Sequence, residues 1–556
     1  MNRMLLGGLT LSVLAATNAM LGGASAAAAG PRPQVLTAPT VSGVAPLSGN
    51  SSGGTSVVIS GSSFTGATAV HFGASAASSF AVSSDTQITA TAPASTAGTV
   101  DVTVTTSTGT SSTSTADSYI YVPPAVSWKQ YSLTGNNGTT WVPLDATALS
   151  LSFTPSVDSN AVLVGNADLW TASAGVNQDL GIFVSGGTYG AGQLIGWKES
   201  GGNAGTFSPN AAALQTVTLV KAATPYTVTL EWKTNHATAG TIFAAAGAGP
   251  LFSPTRLTAQ LMAATDPNLK TVVSNAQYSL KGSDGLAWPR MDATALQFGF
   301  TTAVSGMAVI TANADLWAQD PGVGQDLGIE ISGNTYAMGT IVDWKQSGGY
   351  GGTFSPNAAY VQAVVPLTPG TYGVQIAWTA NHETSGTIRA GAGLGPQFSP
   401  TRLTVQFQPG GTGLQDAWTN QVQYSKANST GSDWTPIDAT NLKLTIVTTS
   451  ASLYILSGNA DLWTANATVN QDLGIMLSGG AFGSSGKLVA WKESGGAATF
   501  TPNAAYVQTI VPLAASTTYT VTLVWKANHP TTGTIYDAAG GGPFFSITRV
   551  TALATS

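Results

Sequence analysis

One block of sequence recurs three times along the chain, and this repetition constrains the fold more than any other feature. Asn166-Ala167-Asp168-Leu169-Trp170 returns as Asn313-Ala314-Asp315-Leu316-Trp317 and again as Asn459-Ala460-Asp461-Leu462-Trp463, at offsets of 147 and 146 residues. Gln178-Asp179-Leu180-Gly181-Ile182 returns at Gln325 and at Gln471. Trp197-Lys198-Glu199-Ser200 returns as Trp344-Lys345-Gln346-Ser347 and Trp491-Lys492-Glu493-Ser494. Twelve of the 14 Trp fall in register, four per copy. The copies span 126–261, 272–407 and 420–556. Short linkers join them: Pro123-Pro124, then a stretch centred on Asp266-Pro267, then Gln408-Pro409-Gly410-Gly411. Blocks of roughly 135 residues can each bury a core. Solenoid units of about 20–45 residues cannot. The expectation is three domains in tandem.

Within a copy the period is 2. Val228, Leu230 and Trp232 share one face, and Thr227, Thr229, Glu231 and Lys233 share the other. Val374, Ile376 and Trp378 repeat the pattern, as do Val521, Leu523 and Trp525. Strict alternation is the mark of a half-buried strand, because successive side chains point to opposite faces. No helical period extends beyond a turn. The fold class is all-β, each copy being an antiparallel β-sandwich with the segment rhythm of a jelly roll.

Residues 38–122 are of a different kind, rich in Ser, Thr, Ala and Gly. Short alternating segments such as Ser56-Val57-Val58-Ile59-Ser60 lie between turn residues. Val44-Ala45-Pro46-Leu47-Ser48-Gly49, Gly53-Gly54-Thr55 and Ile59-Ser60-Gly61-Ser62-Ser63-Phe64 resemble the opening of an IPT/TIG domain, and His71-Phe72-Gly73 and Tyr119-Ile120-Tyr121 also match. The resemblance implies an immunoglobulin-like sandwich acting as a spacer or interaction module. Relatives that touch DNA need basic residues, which this stretch lacks.

Residues 1–29 read as a signal peptide. Arg3 supplies the positive start, Leu5 to Ala16 the apolar segment, and Ala24-Ser25-Ala26 a cleavage site. No second apolar run is long enough to span a bilayer. The mature chain is therefore expected to be secreted or extracellular, either soluble or held at a cell surface by non-covalent contacts, and without an integral membrane segment. There are no cysteines, which excludes disulfides, thiolate catalysis and Cys-ligated metal. Charged residues make up 8% of the chain, against about 25% in typical soluble proteins. With a net charge of −6, no nucleic acid partner is expected.

Four sets of residues could carry chemistry. Trp197, Trp344 and Trp491 end strand-like runs beside Lys198, Glu199, Lys345, Lys492 and Glu493. A partly exposed aromatic ring with polar neighbours is a platform for a sugar, and packing in the core is the competing reading. Asp168 and Asp179 lie 11 residues apart, as do Asp315 and Asp326, and Asp461 and Asp472. Calcium takes six to eight oxygens, so such a pair offers half a shell. Turn capping is the simpler role, and no cofactor is expected otherwise. Arg256, Arg402 and Arg549 recur in register and invite pairing with the repeated Asp. Asn235-His236, Asn381-His382 and Asn528-His529 suit turns, since one His per copy makes no zinc site.

No catalytic motif stands in a fitting context, so the chain is expected not to be an enzyme. Three near-identical copies suit multivalent binding of a repetitive partner, a polysaccharide or cell-envelope glycan. The alternative is a self-associating structural coat or adhesion protein, favoured by low charge repulsion. A secreted hydrolase ranks below both.

Overall fold

The computed structural model describes residues 37–554, apart from 202–208, 248–251, 349–355, 394–397, 496–501, 542–543 and six single positions. The signal-like segment 1–29 lies outside the described residues.

The fold is all-β. Residues 40–121 form two sheets. One runs Thr40–Ala45, Ser56–Ser62, Gln87–Thr91, Ser79–Ser84, and the other carries Ser118–Tyr121, Gly98–Thr106 and Ala69–Phe72. Val57, Ile59, Phe72, Ile88, Val102 and Val104 fill the space between them.

Each copy is a two-sheet sandwich. In the first copy one sheet orders Ala125–Ser127, Thr255–Ala263, Ser159–Thr171 and Asn210–Val220, with Ala237–Ala244 and Tyr131–Asn137 continuing from the far end of Ser159–Thr171. The other sets Val142–Pro143 and Ser150–Phe153 along Tyr226–Thr234, followed by Gln178–Ser185 and Gln193–Ser200. First and last strands pair in the first sheet, so the chain wraps as in a jelly roll. Leu180, Ile182, Val184, Val228, Leu230 and Trp232 turn inward, as the alternation requires. The second and third copies repeat this order around their own cores. Their first strands, Leu269–Ser274 and Leu414–Thr419, begin earlier than the copy boundaries read from sequence.

The copies do not hang in line. Asn210 donates to Asn357 Oδ1 at 3.3 Å, Asn357 to Asn503 Oδ1 at 3.4 Å, and Asn503 back to Asn210 Oδ1 at 3.3 Å. A cyclic set of contacts between equivalent residues defines a threefold axis. The edge strands Asn210–Val220, Asn357–Leu367 and Asn503–Leu513 surround it. An unpaired edge strand is an aggregation liability, and burying three of them against one another removes it.

The IPT/TIG-like sandwich is docked on this assembly. Ser48 Oγ accepts from the Leu261 N–H at 2.8 Å in copy one, and the Leu453 N–H of copy three donates to Gly54 O at 3.0 Å. No helix among the described residues is long and apolar enough to cross a membrane.

Candidate functional site

The Asn-Ala-Asp-Leu-Trp motif reads the neighbouring copy. Asn166 donates to Tyr506 O at 3.3 Å, Asn313 to Ala213 O at 3.0 Å, and Asn459 to Tyr360 O at 3.1 Å. Two residues on, Asp168 accepts from the Glu493 N–H at 3.2 Å, Asp315 from Glu199 at 3.0 Å, and Asp461 from Gln346 at 3.0 Å. Lys198, Lys345 and Lys492 donate their Nζ to the carbonyl oxygens of Pro400, Ile547 and Pro254 in the next copy. Three seams are thus built alike: one to two, two to three, and three back to one.

This overturns the expected exposure of the Trp-Lys-Glu runs. Lys198, Lys345, Lys492, Glu199 and Glu493 are all buried. They sit inside the seams and form no exposed platform. Long charged side chains are buried only when partnered: the lysines are held across copies, Lys345 also pairs with Asp343 of its own copy at 3.0 Å, and the Glu199 and Glu493 carboxyls are held within their own copies. Burial draws the Lys198 and Lys492 ammonium groups down to about 8, opposed by Asp315 and Asp168 respectively. Glu199 is held well above the usual carboxylate range, by burial first and then by Asp179. It nevertheless accepts from Asn177 at 3.0 Å and from Asn235 at 3.1 Å, which is the role of the Asn beside His236.

The Asp pairs also separate. Asp168 belongs to the seam with copy three, whereas Asp179 lies near Asp315 in the seam with copy two and pairs with Lys233. Two residues facing different seams share no ion, so the calcium reading of the pairs fails on geometry. Among the described residues no group of three or more His, Cys, Asp or Glu side chains is placed to hold a metal ion. The arginines cross seams too, but not to the repeated Asp. Arg256 donates to Val489 O at 3.4 Å and Arg402 to Thr216 Oγ1 at 3.1 Å. Arg549 pairs with Asp343, 3.1 Å away, and with Asp416.

The tryptophans fare differently. Trp197 and Trp344 are half-buried, and Trp491 is buried at 8% exposure. Each meets a second tryptophan edge to face: Trp141–Trp197 at 6.4 Å, Trp288–Trp344 at 5.9 Å and Trp434–Trp491 at 6.1 Å between ring centroids. The second ring, half-buried in every copy, lies against a glycine. A Cβ on Gly181 would stand 2.8 Å from Trp141 Cζ3, so only glycine leaves room for the ring. In copy one Lys233 Nζ lies 5.1 Å from the Trp141 ring centre, a cation–π contact. Phe183 and Glu231 complete a half-buried platform on the outer face of the sheet. Trp141, Trp288 and Trp434 are the residues that sequence reasoning missed, although their common register marked them.

A cavity of about 120 Å³ lies where the copies and the IPT/TIG loop Pro46–Asn50 converge. Gln215, Gln362, Gln508, Tyr360 and Tyr506 help to line it, and no lining residue is charged.

Comparison with known proteins settles the first domain. Residues 39–121 are an IPT/TIG domain. That confirms the resemblance read from the Pro, Gly and Phe pattern. No curated protein matches the chain. Among solved structures, the VP2 subviral particle of infectious bursal disease virus is similar over 52% of this chain and 72% of its own, with 12% identity and a TM-score of 0.19. SGBP-B, from a xyloglucan utilization locus in Bacteroides uniformis, is similar over 66% of this chain and 99% of its own, with 13% identity and a TM-score of 0.15.

Proposed function

We propose that the protein is an exported, non-enzymatic surface or extracellular binding protein that holds a polysaccharide or cell-envelope glycan on three tryptophan platforms. One observation carries this reading. A half-buried tryptophan lies against a glycine on the outer sheet of all three copies, beside a second tryptophan. The apolar face of a pyranose stacks on such rings, and nearby polar groups fix its hydroxyls. Closure of the copies about one axis sets the platforms at fixed spacing, so a repetitive ligand engages several without the ordering cost of flexible tethers. The IPT/TIG domain, hydrogen-bonded to copies one and three, caps one end of that axis and does not act as a loose spacer. Export rests on the signal-like residues 1–29.

The test is retention of the full mature chain on a panel of insoluble polysaccharides and cell envelopes. Retention should fall at least tenfold when Trp141→Ala, Trp288→Ala and Trp434→Ala are combined, with the circular dichroism unchanged. No retention on any member of the panel overturns the reading.

A further inference from the structure

The second platform differs from the other two in one respect that bears on its ligand. In copies one and three a lysine ammonium fills the space between the tryptophan and a buried aspartate. Lys233 pairs with Asp179 and Lys526 with Asp472, and each Nζ lies 5.1 Å from the centre of the ring above it, Trp141 or Trp434. In copy two the lysine position is Thr379, which bonds Ser283 at 2.9 Å instead. Asp326, directly across the strand pair from Thr379, is 7% exposed; its Oδ1 has no hydrogen-bond partner, as in Asp179 and Asp472, but it lacks the lysine that those two hold on Oδ2. Among the described residues no Lys or Arg forms an ion pair with it.

The surroundings add negative charge. Asp326, Gly328 and Glu330 alternate along Gln325–Gly333, so all three side-chain positions share the outer face of the sheet, whose Asp326 end borders the seam with copy three. Trp288 rests on Gly328, since a Cβ there would stand 2.7 Å from its Cζ3. Glu330, also buried, replaces the Phe183 and Met476 of the other copies. Two carboxylates therefore share the sheet face on which Trp288 rests, and among the described residues neither forms an ion pair with a Lys or Arg.

We infer that the copy-two platform binds a primary ammonium group carried on a sugar, an amino-sugar unit whose ring stacks on Trp288 and whose ammonium takes the place that Lys233 and Lys526 occupy in the other copies. The inference rests on the tryptophan platforms being the glycan sites and narrows what one of them takes. Both requirements of an ammonium are met there, an aromatic face and an unpaired carboxylate. The protein itself places an ammonium in this setting twice. Burial keeps Asp326 well above the usual carboxylate range, with Asp461 adding to the effect, and an arriving cation offsets both.

The experiment is calorimetric titration of the full chain with oligomers of glucosamine and with their neutral N-acetylated counterparts. The glucosamine oligomer should show one site per chain that the neutral oligomer fills at least tenfold more weakly. Thr379→Lys supplies the missing ammonium and should abolish that preference, and Asp326→Asn should do the same. Lys233→Thr should create a second such site, in a setting the fold already tolerates in copy two. Equal binding of both oligomers at all platforms overturns this inference and leaves the glycan reading intact. Binding of neither overturns both. A lysine-rich peptide that binds copy two as tightly as the glucosamine oligomer overturns the assignment to a sugar.

Discussion

Asn503 donates its side-chain amide to Asn210 Oδ1 at 3.3 Å, a bond between residues 293 positions apart that closes the ring of three copies. Everything between them follows from that closure. The seams are equivalent, the edge strands are buried, and the platforms face outward at fixed positions.

Closure predicts one unfolding event. Each copy has its own core, but each also buries lysine and carboxylate groups whose partners lie in the next copy. Opening one seam exposes these groups and uncovers two edge strands, so the copies should unfold together. Differential scanning calorimetry of the mature chain should show a single transition for the three copies, and an isolated fragment 126–261 should aggregate or unfold. Three separable transitions would mean that the copies are independent domains.

The seam lysines predict a non-additive mutant pair. Lys492 lies beside Asp168 and donates to Pro254 O. Removing it as Lys492→Met leaves a buried carboxylate uncompensated, at a cost of about 3–5 kcal/mol. Replacing both, Lys492→Met with Asp168→Leu, should cost less than the single change, because no unpaired charge remains. Urea unfolding of the three variants measures this, and simple additivity would contradict it.

What the sequence made legible, and what it hid, divide along this line. The repeat, the alternation and the IPT/TIG pattern are local, so the sandwiches and the core tryptophans could be read directly. The Trp-Lys-Glu runs looked like surface motifs because a lysine beside a glycine-rich loop is normally solvated. Partners such as Asp315 for the Glu199 N–H and Pro400 for the Lys198 ammonium lie in another copy. No spacing rule within one copy connects them. Trp141 was visible in register, but its seat on Gly181 depends on a strand 40 positions away.

Stability should be greatest at mildly acidic pH. Burial raises Asp461 and Asp416 to about 6 and Asp537 to about 7, and it also raises Glu199 and Glu493. A folded-state pKa above the unfolded one means that the folded chain holds the proton more tightly. That stabilisation is complete below about pH 4 and is lost as pH rises through 6 and 7. In the other direction, backbone and side-chain hydrogen bonds lower Asp438 to about 2, and hydrogen bonds also lower Asp145 and Asp292, so stability falls below about pH 4 as these protonate. Melting temperature should therefore drop between pH 5 and pH 7.5. A flat or rising profile over that interval would show that the seam carboxylates ionise freely.

The departure from threefold sequence symmetry at the axis is a packing matter and can be tested as one. Tyr360 and Tyr506 are equivalent residues of copies two and three, and their ring centres stand 4.3 Å apart. The equivalent in copy one is Ala213, which is buried against both. Two tyrosine rings already occupy the space beside the axis, and a third would force one of them off its rotamer. Ala213→Tyr, which would restore perfect repetition, should therefore destabilise the chain by about 1–3 kcal/mol. Tyr506→Ala removes a buried ring and with it the bond from its hydroxyl to Gln362 Oε1, 3.1 Å away. It should cost about 3–5 kcal/mol, in the range for a buried aromatic cut to alanine. If Ala213→Tyr proved stabilising in urea unfolding, the axis would have room for three rings, and the alanine would owe nothing to packing.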